Sequence, residues 1–427
     1  MEVKTTKISD CKLELTVSVP REEWESILTS TYNKYRSNVK LDGFRKGKVP
    51  LGMIKKMYGP VIETEAAEDA VRRFYIEAVD QENIDAIAPG DIADVDYSDD
   101  NPFTFKATVE IMPEFEIQGL DDLKTYLDEV DIGADDVETG IEVLRHEHAI
   151  ISPSDEPANE KSVITADIQE VDRTGVPLLT HNWKDVTIEI GKNAFGPDVD
   201  EQLLEKNTGD EVTVSFKNEE APEAENKEIF YSFEIKEIKT RELPELDDEF
   251  AKSISPDFDE VDKLRSGVKE HIVRQANSRA KVKMFNRLVE YLIENNRIAV
   301  PPTMLEGYLE KLLANAEKNG EKLAKDDFKE KYEPSAIRNL KWFILRKNMI
   351  EQQNLHATED EIDVEIDKIV KESGGTAETL KAYFKNPKNK EKVVDDIEER
   401  KVLEHLESIA KITNKKIDYK EFVSADS

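Results

Sequence analysis

Gly43-Phe44-Arg45-Lys46-Gly47-Lys48-Val49-Pro50 is the stretch from which the rest of this chain is read. The whole chain has 427 residues and a formal net charge of -33, yet this segment is basic. From Lys40 to Lys56 there are six Lys/Arg (Lys40, Arg45, Lys46, Lys48, Lys55, Lys56) against one acid, Asp42, a local charge of +5. A basic island in so acidic a chain points to a specific anionic partner, because the remaining surface repels such a partner. Two glycines allow tight turning, Arg offers a bidentate fork, and Lys adds point charge. Phe44 has two readings. It stacks on a base or enters an apolar pocket of a partner, or it folds back into the local core.

The flanks predict an α+β domain. Leu13, Leu15, Val17 and Val19 alternate with Lys12, Glu14, Thr16 and Ser18, the period of a half-buried strand. Trp24, Ile27, Leu28, Thr31 and Tyr35 then fit one face of a helix over 21–38. After the basic loop, Pro50 suits the first turn of a short helix ending at Met57. A separate helix over about 60–83 carries Val61, Val71, Phe74, Tyr75 and Val79. Phe103, Phe105, Ala107, Val109 and Ile111 alternate as a closing strand. The basic loop thus falls between helices, at a tip that a rigid scaffold presents.

Met112-Pro113 marks a boundary. Residues 113–150, with a helical pattern at Val137, Ile141, Leu144 and His148, read as a connector. Residues 151–243 are strand-rich and punctuated by Gly175, Gly191, Gly196-Pro197 and Gly209, with one short helical stretch at Leu203-Leu204. They predict a small antiparallel β domain. With 21 Asp/Glu and 10 Lys/Arg in 160–245, this part is net -11 and a poor RNA binder. From Glu245 to the end the pattern reads as helical throughout, including a capping box at Thr358 and Glu361. The expected partition is 1–112, 113–150, 151–243 and 244–427, in keeping with roughly 100–200 residues per domain.

Composition excludes several classes. The single cysteine, Cys11, rules out an internal disulfide and fits a reducing compartment. The start of the chain has no apolar run of a secretory signal, and no stretch approaches the ~20 apolar residues of a membrane span. A cytoplasmic protein without a membrane partner is expected. No Gly-x-x-x-x-Gly-Lys-Ser/Thr occurs, so nucleotide use is not expected. His146-Glu147-His148 diverge on a helix, which argues against a metal. Gly374-Gly375 reads as a helix stop.

The octapeptide resembles the ribosome-binding signature Gly-Phe-Arg-x-Gly-Lys-x-Pro of bacterial trigger factor, with Gly43, Phe44, Arg45, Gly47, Lys48 and Pro50 at its fixed positions. Tyr58-Gly59, Pro113-Glu114-Phe115-Glu116 with Gly119-Leu120, and Thr240-Arg241-Glu242-Leu243-Pro244-Glu245-Leu246 leading to Phe250 resemble the same family. The similarity in order and length covers essentially the whole chain. The resemblance implies an α+β multidomain fold: an α+β ribosome-binding domain, an FKBP-like antiparallel β domain and an elongated all-α C-terminal domain. It implies an ATP-independent chaperone, without cofactor or metal, that aids folding and export. Its partners would be the large ribosomal subunit near the exit tunnel, met through Phe44, Arg45 and Lys46 on a ribosomal protein and ribosomal RNA, and unfolded nascent polypeptides. It also implies a homodimer off the ribosome.

The family carries a prolyl isomerase activity, which makes a folding enzyme the alternative reading. Such a site needs an apolar, aromatic-lined pocket rather than acid, base or metal. This chain departs from the family pattern: Ile168 follows Asp167 where an aromatic is expected, Leu178-Leu179-Thr180 replaces Phe-Glu-Gly, and Phe195-Gly196-Pro197-Asp198-Val199 stands where Gly-Phe-Glu should fall. The candidate pocket is Ile168, Leu179, Phe195, Val199, Tyr231 and Phe233, and weak or absent activity is expected. Trp183 is a further aromatic nearby, and for it, as for Phe195, Tyr231 and Phe233, the competing reading is the core of a small β domain. Client contacts are sought where apolar residues exceed one helical stripe: Met304, Tyr308 and Leu312 on one helix, Trp342, Phe343 and Met349 on another. The competing reading of these is helix–helix core.

Overall fold

The computed structural model describes the chain apart from Gly43 and residues 99–100, 193–198, 218–227, 320–323, 373–381, 385 and 426–427, and gives only the backbone at 179–181, 216, 217 and 228. The chain forms two compact units, Met1–Leu127 with Val282–Asn414, and Asp128–Lys281 with Lys415–Ser427.

In the first unit an antiparallel sheet has the order β1-β2-β4-β3, from β1 (Glu2–Ser9), β2 (Lys12–Val19), β3 (Asp91–Asp96) and β4 (Phe103–Glu110). The alternation of β2 and β4 puts Leu15, Val17, Val19, Phe103, Phe105, Ala107 and Val109 on one buried face. Helices α1 (Arg21–Asn38) and α2 (Leu51–Gln81) supply the rest of that core. Ala66, Ala67, Ala70 and Ala78 of α2 are small enough to bring the helix close to the sheet, and Phe74 fills what remains. Trp24 of α1 stacks on Phe103 at 4.8 Å.

Two local expectations are corrected here. The helices expected over 50–57 and 60–83 are one helix, α2, with Pro60 inside it. An internal proline costs about 3 kcal/mol, which the continuous buried face Ile54–Ile62–Ala66 offsets. Strands β1 and β3 were not legible as strands. Almost every residue of β1 is exposed, and β3 is bulged, which breaks the period-2 pattern.

Besides α1 and α2, the described helices of this unit include the second part of α6 (Val261–Asn295), α7 (Pro302–Lys318), α8 (Lys325–Gln353), α9 (Glu359–Glu372) and α10 (Pro387–Ile409). Leu288, Leu292, Ile344, Leu345, Met349, Val402 and Leu406 form their main core. The start of the connector belongs to that core, with Leu123 buried and Phe115, Ile117 and Leu120 packed against it. Two buried asparagines clamp its backbone. Asn348 Nδ2 donates to Pro113 O at 3.0 Å and its Oδ1 accepts from Phe115 N at 3.3 Å. Asn296 Oδ1 accepts from Gln118 N at 2.8 Å and its Nδ2 donates to Gln118 O at 3.0 Å. An extended segment carries unpaired backbone groups, and these amides satisfy them inside the core. The connector continues as β5 (Lys124–Asp131) and then as α3 (Ala134–Glu147), where the periodicity predicted a helix. β5 pairs with β11 (Lys411–Asp418), so the end of the chain is not helical throughout.

The capping box at α9 forms as read. Thr358 N and Oγ1 donate to Glu361 Oε2 at 2.8 and 3.0 Å, and Glu361 N returns a bond to Thr358 Oγ1. The Thr358 backbone N–H, then Lys401 and the Thr358 hydroxyl, hold the Glu361 carboxyl down to about 2 from an ordinary 4.5. A depressed carboxylate stabilises the fold above its unfolded value and loses that contribution as pH falls through its folded value. The stability difference between the wild type and Glu361→Gln, read from urea midpoints, should therefore be present at pH 6 and shrink between pH 4.5 and 2. A difference independent of pH would show that the carboxylate charge is not what caps α9.

In the second unit β6 (Ile150–Pro153), β7 (Ser162–Val171), β8 (Pro177–Glu189), β9 (Glu211–Lys217) and β10 (Glu228–Glu242) make one antiparallel sheet. β10 is long enough to pair with β9 and β6 along one edge and with β7 along the other. The short helix α4 (Val199–Leu203) packs Val199 and Leu203 onto the sheet's buried face. A second core joins α3, α5 (Asp248–Ile254) and the first part of α6 through Val137, Ile141, Phe250, Leu264, Val268 and Ile272. Tyr419, which opens α11 (Tyr419–Ser424), packs against that core.

Candidate functional site

The basic loop leaves α1 and enters α2 with both ends pinned. Val49 is buried with Tyr32, Ile54 and Ile62, and Leu41 packs on the same small core. Tyr32 Oη donates to Glu63 Oε1 at 2.7 Å. Burial, and then Glu63, push this phenol up to about 12, so it stays a neutral donor that ties α1 to α2. Pro50 closes the loop, its carbonyl accepting from Met53 N at 3.0 Å and Ile54 N at 3.3 Å as α2 begins.

Between the pins the chain makes two tight turns. Phe44 N donates to Leu41 O at 3.0 Å, and Lys48 N donates to Arg45 O at 2.9 Å. In the second turn Gly47 has φ +80°, a conformation that suits glycine at the third position of such a turn. Phe44 is 38% exposed, so it does not fold back into the core beneath it. Arg45, Lys46 and Lys48 are exposed as well. Among the described residues no ion pair holds any of these three cations. The loop therefore presents an aromatic ring with cations around it, on a base that does not depend on them. Gly43 lies outside the described residues.

Comparison with known proteins places the chain in a family. A family model described as bacterial trigger factor protein matches residues 1–144, and one for the trigger factor C-terminus matches residues 260–408. A trigger factor of Halothermothrix orenii is 30% identical over 425 residues, covering 95% of this chain and 98% of that protein. The chain belongs to the trigger factor family. A trigger factor of Caldicellulosiruptor bescii is 29% identical over 393 residues, covering 87% of this chain and 88% of its own. A solved structure of the trigger factor chaperone, described by its promiscuous substrate recognition in folding and assembly activities, matches with a TM-score of 0.53. It covers 95% of this chain and 99% of its own, and at 21% identity it speaks to the fold alone.

Three of the six residues proposed for an isomerase pocket are taken into the core of the β-rich sheet. Ile168, Val199 and Phe233 are 1%, 0% and 0% exposed and belong to one packed core. Ile168 pairs with Phe233 across β7 and β10, so both point to the same side of the sheet. Phe195 lies outside the described residues, and at Leu179 only the backbone is described. Tyr231 is half-buried and meets Phe233 edge-on at 6.3 Å. Desolvation, then Glu170, raise its phenol above the usual range.

Trp183 was left out of that set, although it is 37% exposed and meets Tyr231 edge-on at 5.9 Å. Its placement comes from a bulge in β8. Ala166 pairs with Val186 but Ile168 with Trp183, so β8 uses one extra residue. Asp185 takes φ +53° there, and its backbone N–H donates to Asp167 Oδ1 at 2.8 Å. Lys236 clamps both carboxylates, at 2.6 Å from Asp167 and 2.8 Å from Asp185. Lys236, and then the Asp185 N–H, hold the Asp167 carboxyl below its usual range. Asp167 is thus occupied in shaping β8, a role that no period in the sequence signals.

The client candidates divide by burial. Met304, Tyr308 and Leu312 are half-buried on α7, while Leu309 between them is buried. Asn339 of α8 donates to Tyr308 Oη at 3.2 Å. Trp342 and Phe343 are half-buried, and Trp342 Nε1 donates to Glu399 Oε1 at 3.0 Å. Met349 is fully buried in the helical core. It is a packing residue and offers no surface, because α8 buries two of its sides.

Proposed function

We propose that this chain is an ATP-independent chaperone that docks through Gly43–Pro50 on the large ribosomal subunit beside the polypeptide exit and holds nascent chains there. The observation that carries this reading is the exposed Phe44 among cations that no carboxylate of the described residues pairs with. Phe44 would enter an apolar or base-lined recess, while Arg45 and Lys46 meet phosphate or carboxylate. On this reading residues 1–112 dock, 113–150 connect, 151–243 are an FKBP-like module and 244–427 hold clients through Met304, Tyr308, Leu312, Trp342 and Phe343. The acidic body limits contact with ribosomal RNA to the loop. The protein would act in the cytoplasm and pair with itself when off the ribosome. Ribosome co-sedimentation of the wild type and a Phe44→Ala, Arg45→Ala, Lys46→Ala variant at two salt concentrations tests docking, and equal pelleting of both would sink it.

The turn makes a separate prediction. A Cβ at Gly47 meets nothing within 4 Å, so Gly47→Ala introduces no clash and acts only through its φ of +80°. That conformation costs an alanine about 1–2 kcal/mol, so ribosome affinity should fall roughly fivefold to thirtyfold with the thermal midpoint nearly unchanged. Wild-type affinity for this variant would mean that the turn re-forms freely on the ribosome.

For the FKBP-like module we propose weak or absent isomerase activity. The support is that Ile168, Val199 and Phe233 are consumed by the core.

A further inference from the structure

Helix α2 carries an apolar stripe that its own core does not use. Met53, Met57 and Val61 are 38%, 52% and 60% exposed and follow at four-residue spacing, on one face of the helix. The same face continues to Val71 and Tyr75, where it becomes one wall of a groove of about 470 Å³. Ile92 and Val95 of β3 form the other wall. At ~1.5 Å per residue, Met53 to Tyr75 spans about 33 Å, the reach of about ten extended residues.

β3 is suited to receive an extended chain. It is an edge of its sheet and, among the described residues, pairs only with β4, which leaves the other row of backbone N–H and C=O groups without a strand. In a regular strand residues three apart point to opposite faces. Here the register shifts between Ala93 and Asp96, with Asp94 at φ +51°, and the extra residue lets both Ile92 and Val95 line the groove. At its floor Gly90 N donates to Tyr75 Oη at 2.9 Å, and Gly90 leaves no room for a Cβ, which would meet the Tyr75 ring at 2.9 Å.

Charge selects the occupant. Asp91, Asp94 and Asp96 run along β3, and Glu68 lines the groove with Arg72. Asp94 is matched by Lys106 at 3.1 Å. A second copy adding through its own β3 would set aspartates against aspartates, which disfavours that pairing. A helix would leave the strand's backbone groups unmet.

We propose that this groove is a client site: an extended segment adds to β3 as a further strand, places alternate apolar side chains against Ile92, Val95 and Tyr75, and sets a lysine or arginine against the aspartates. The Met53–Met57–Val61 stripe guides the same segment, thioether side chains adapting to varied sequences. The proposal rests on the reading that the chain takes unfolded polypeptide, and does not depend on docking to the ribosome.

The test uses the full chain and a fluorescein-labelled ten-residue peptide that alternates valine with threonine and carries two central lysines, followed by anisotropy. The Ile92→Asp, Val95→Asp variant should bind it at least about tenfold more weakly, as should the wild type for the same peptide with glutamates in place of lysines. Backbone N-methylation on one alternate set of peptide residues should cost about tenfold and on the other set little, since only one set faces β3. A Met57→Glu, Val61→Glu variant, which changes only exposed positions of α2, should lose roughly threefold. Affinities equal within twofold for the Ile92/Val95 variant, or equal effects of both methylation sets, would overturn the proposal. So would unchanged peptide binding with lost self-association, which would make the groove an interface between copies. No binding by the wild type would overturn both the groove and the client reading. Ribosome pelleting of the Ile92/Val95 variant should equal wild type, which separates this result from any failure of docking.

Discussion

A chain carrying Phe44→Ala, Arg45→Ala and Lys46→Ala should lose at least about a hundredfold in ribosome affinity while its thermal midpoint stays within about 2 °C of wild type. The two halves of this expectation have different causes. The stability half follows from exposure: all three side chains are exposed, and the base of the loop is held by Leu41, Val49 and Pro50, which the variant keeps. The affinity half follows from what the side chains would meet. A charge-assisted hydrogen bond contributes about 1.5–3 kcal/mol, and a stacked aromatic about 1–3 kcal/mol. Together they exceed the ~2.7 kcal/mol of a hundredfold loss. Salt separates the contributions. Arg45→Ala and Lys46→Ala should each flatten the salt dependence by about 0.7–0.9 in log–log slope if they meet phosphate, whereas Phe44→Ala should weaken binding at every salt concentration with the slope unchanged. A triple variant that pellets like the wild type, or a Phe44→Ala variant with wild-type affinity, would overturn the docking geometry.

The second large effect is expected at Phe233. Replacing it by alanine should destabilise the β-rich module by about 3–5 kcal/mol, the range for a large aromatic removed from a packed core. Phe233 is 0% exposed, pairs with Ile168 and Val212 across the sheet, and packs with Val199, Leu203 and Val214. Urea denaturation of the full chain carrying Trp24→Phe and Trp342→Phe in both proteins, followed by the fluorescence of Trp183 on β8, two strands from Phe233, reads the loss. The same proteins should turn over a Phe-Pro peptide far more slowly than an ordinary FKBP, with little difference between wild type and variant at temperatures where both are folded. The opposite result, a cost below about 1 kcal/mol with a measurable turnover abolished, would make Phe233 a pocket residue and restore the enzyme reading.

Much of the fold was legible where one periodicity dominated. β2 and β4 alternate because one face of their sheet is core, and α3 and α9 show their stripes because each buries one side. Legibility failed where tertiary contacts overrode a local rule. Pro60 argued for a break that the buried face of α2 prevents. β3 lost its alternation to a bulge, and residues 113–118 owe their extended path to Asn296 and Asn348, far away in the chain. The same holds for the candidate sites. The loop was readable because its charge contrasts with everything around it. Met349 was misjudged because an apolar residue beyond one stripe can face a client or a second helix, and here it faces the core.

By itself the sequence determined the family, through an eight-residue signature whose glycines, aromatic and cations each have a physical use, and it determined the strand and helix periods of the main cores. Only the tertiary structure decided whether a given apolar or charged group was spent on packing or left at the surface. Phe44 and Phe233 illustrate the difference: both are phenylalanines beside turns or strands, yet one is exposed on a loop whose ends are anchored by Leu41 and Val49 and the other is enclosed by three strands and α4. Burial is set by neighbours remote in sequence, so the local pattern that names a residue as apolar does not carry which side of it will be covered.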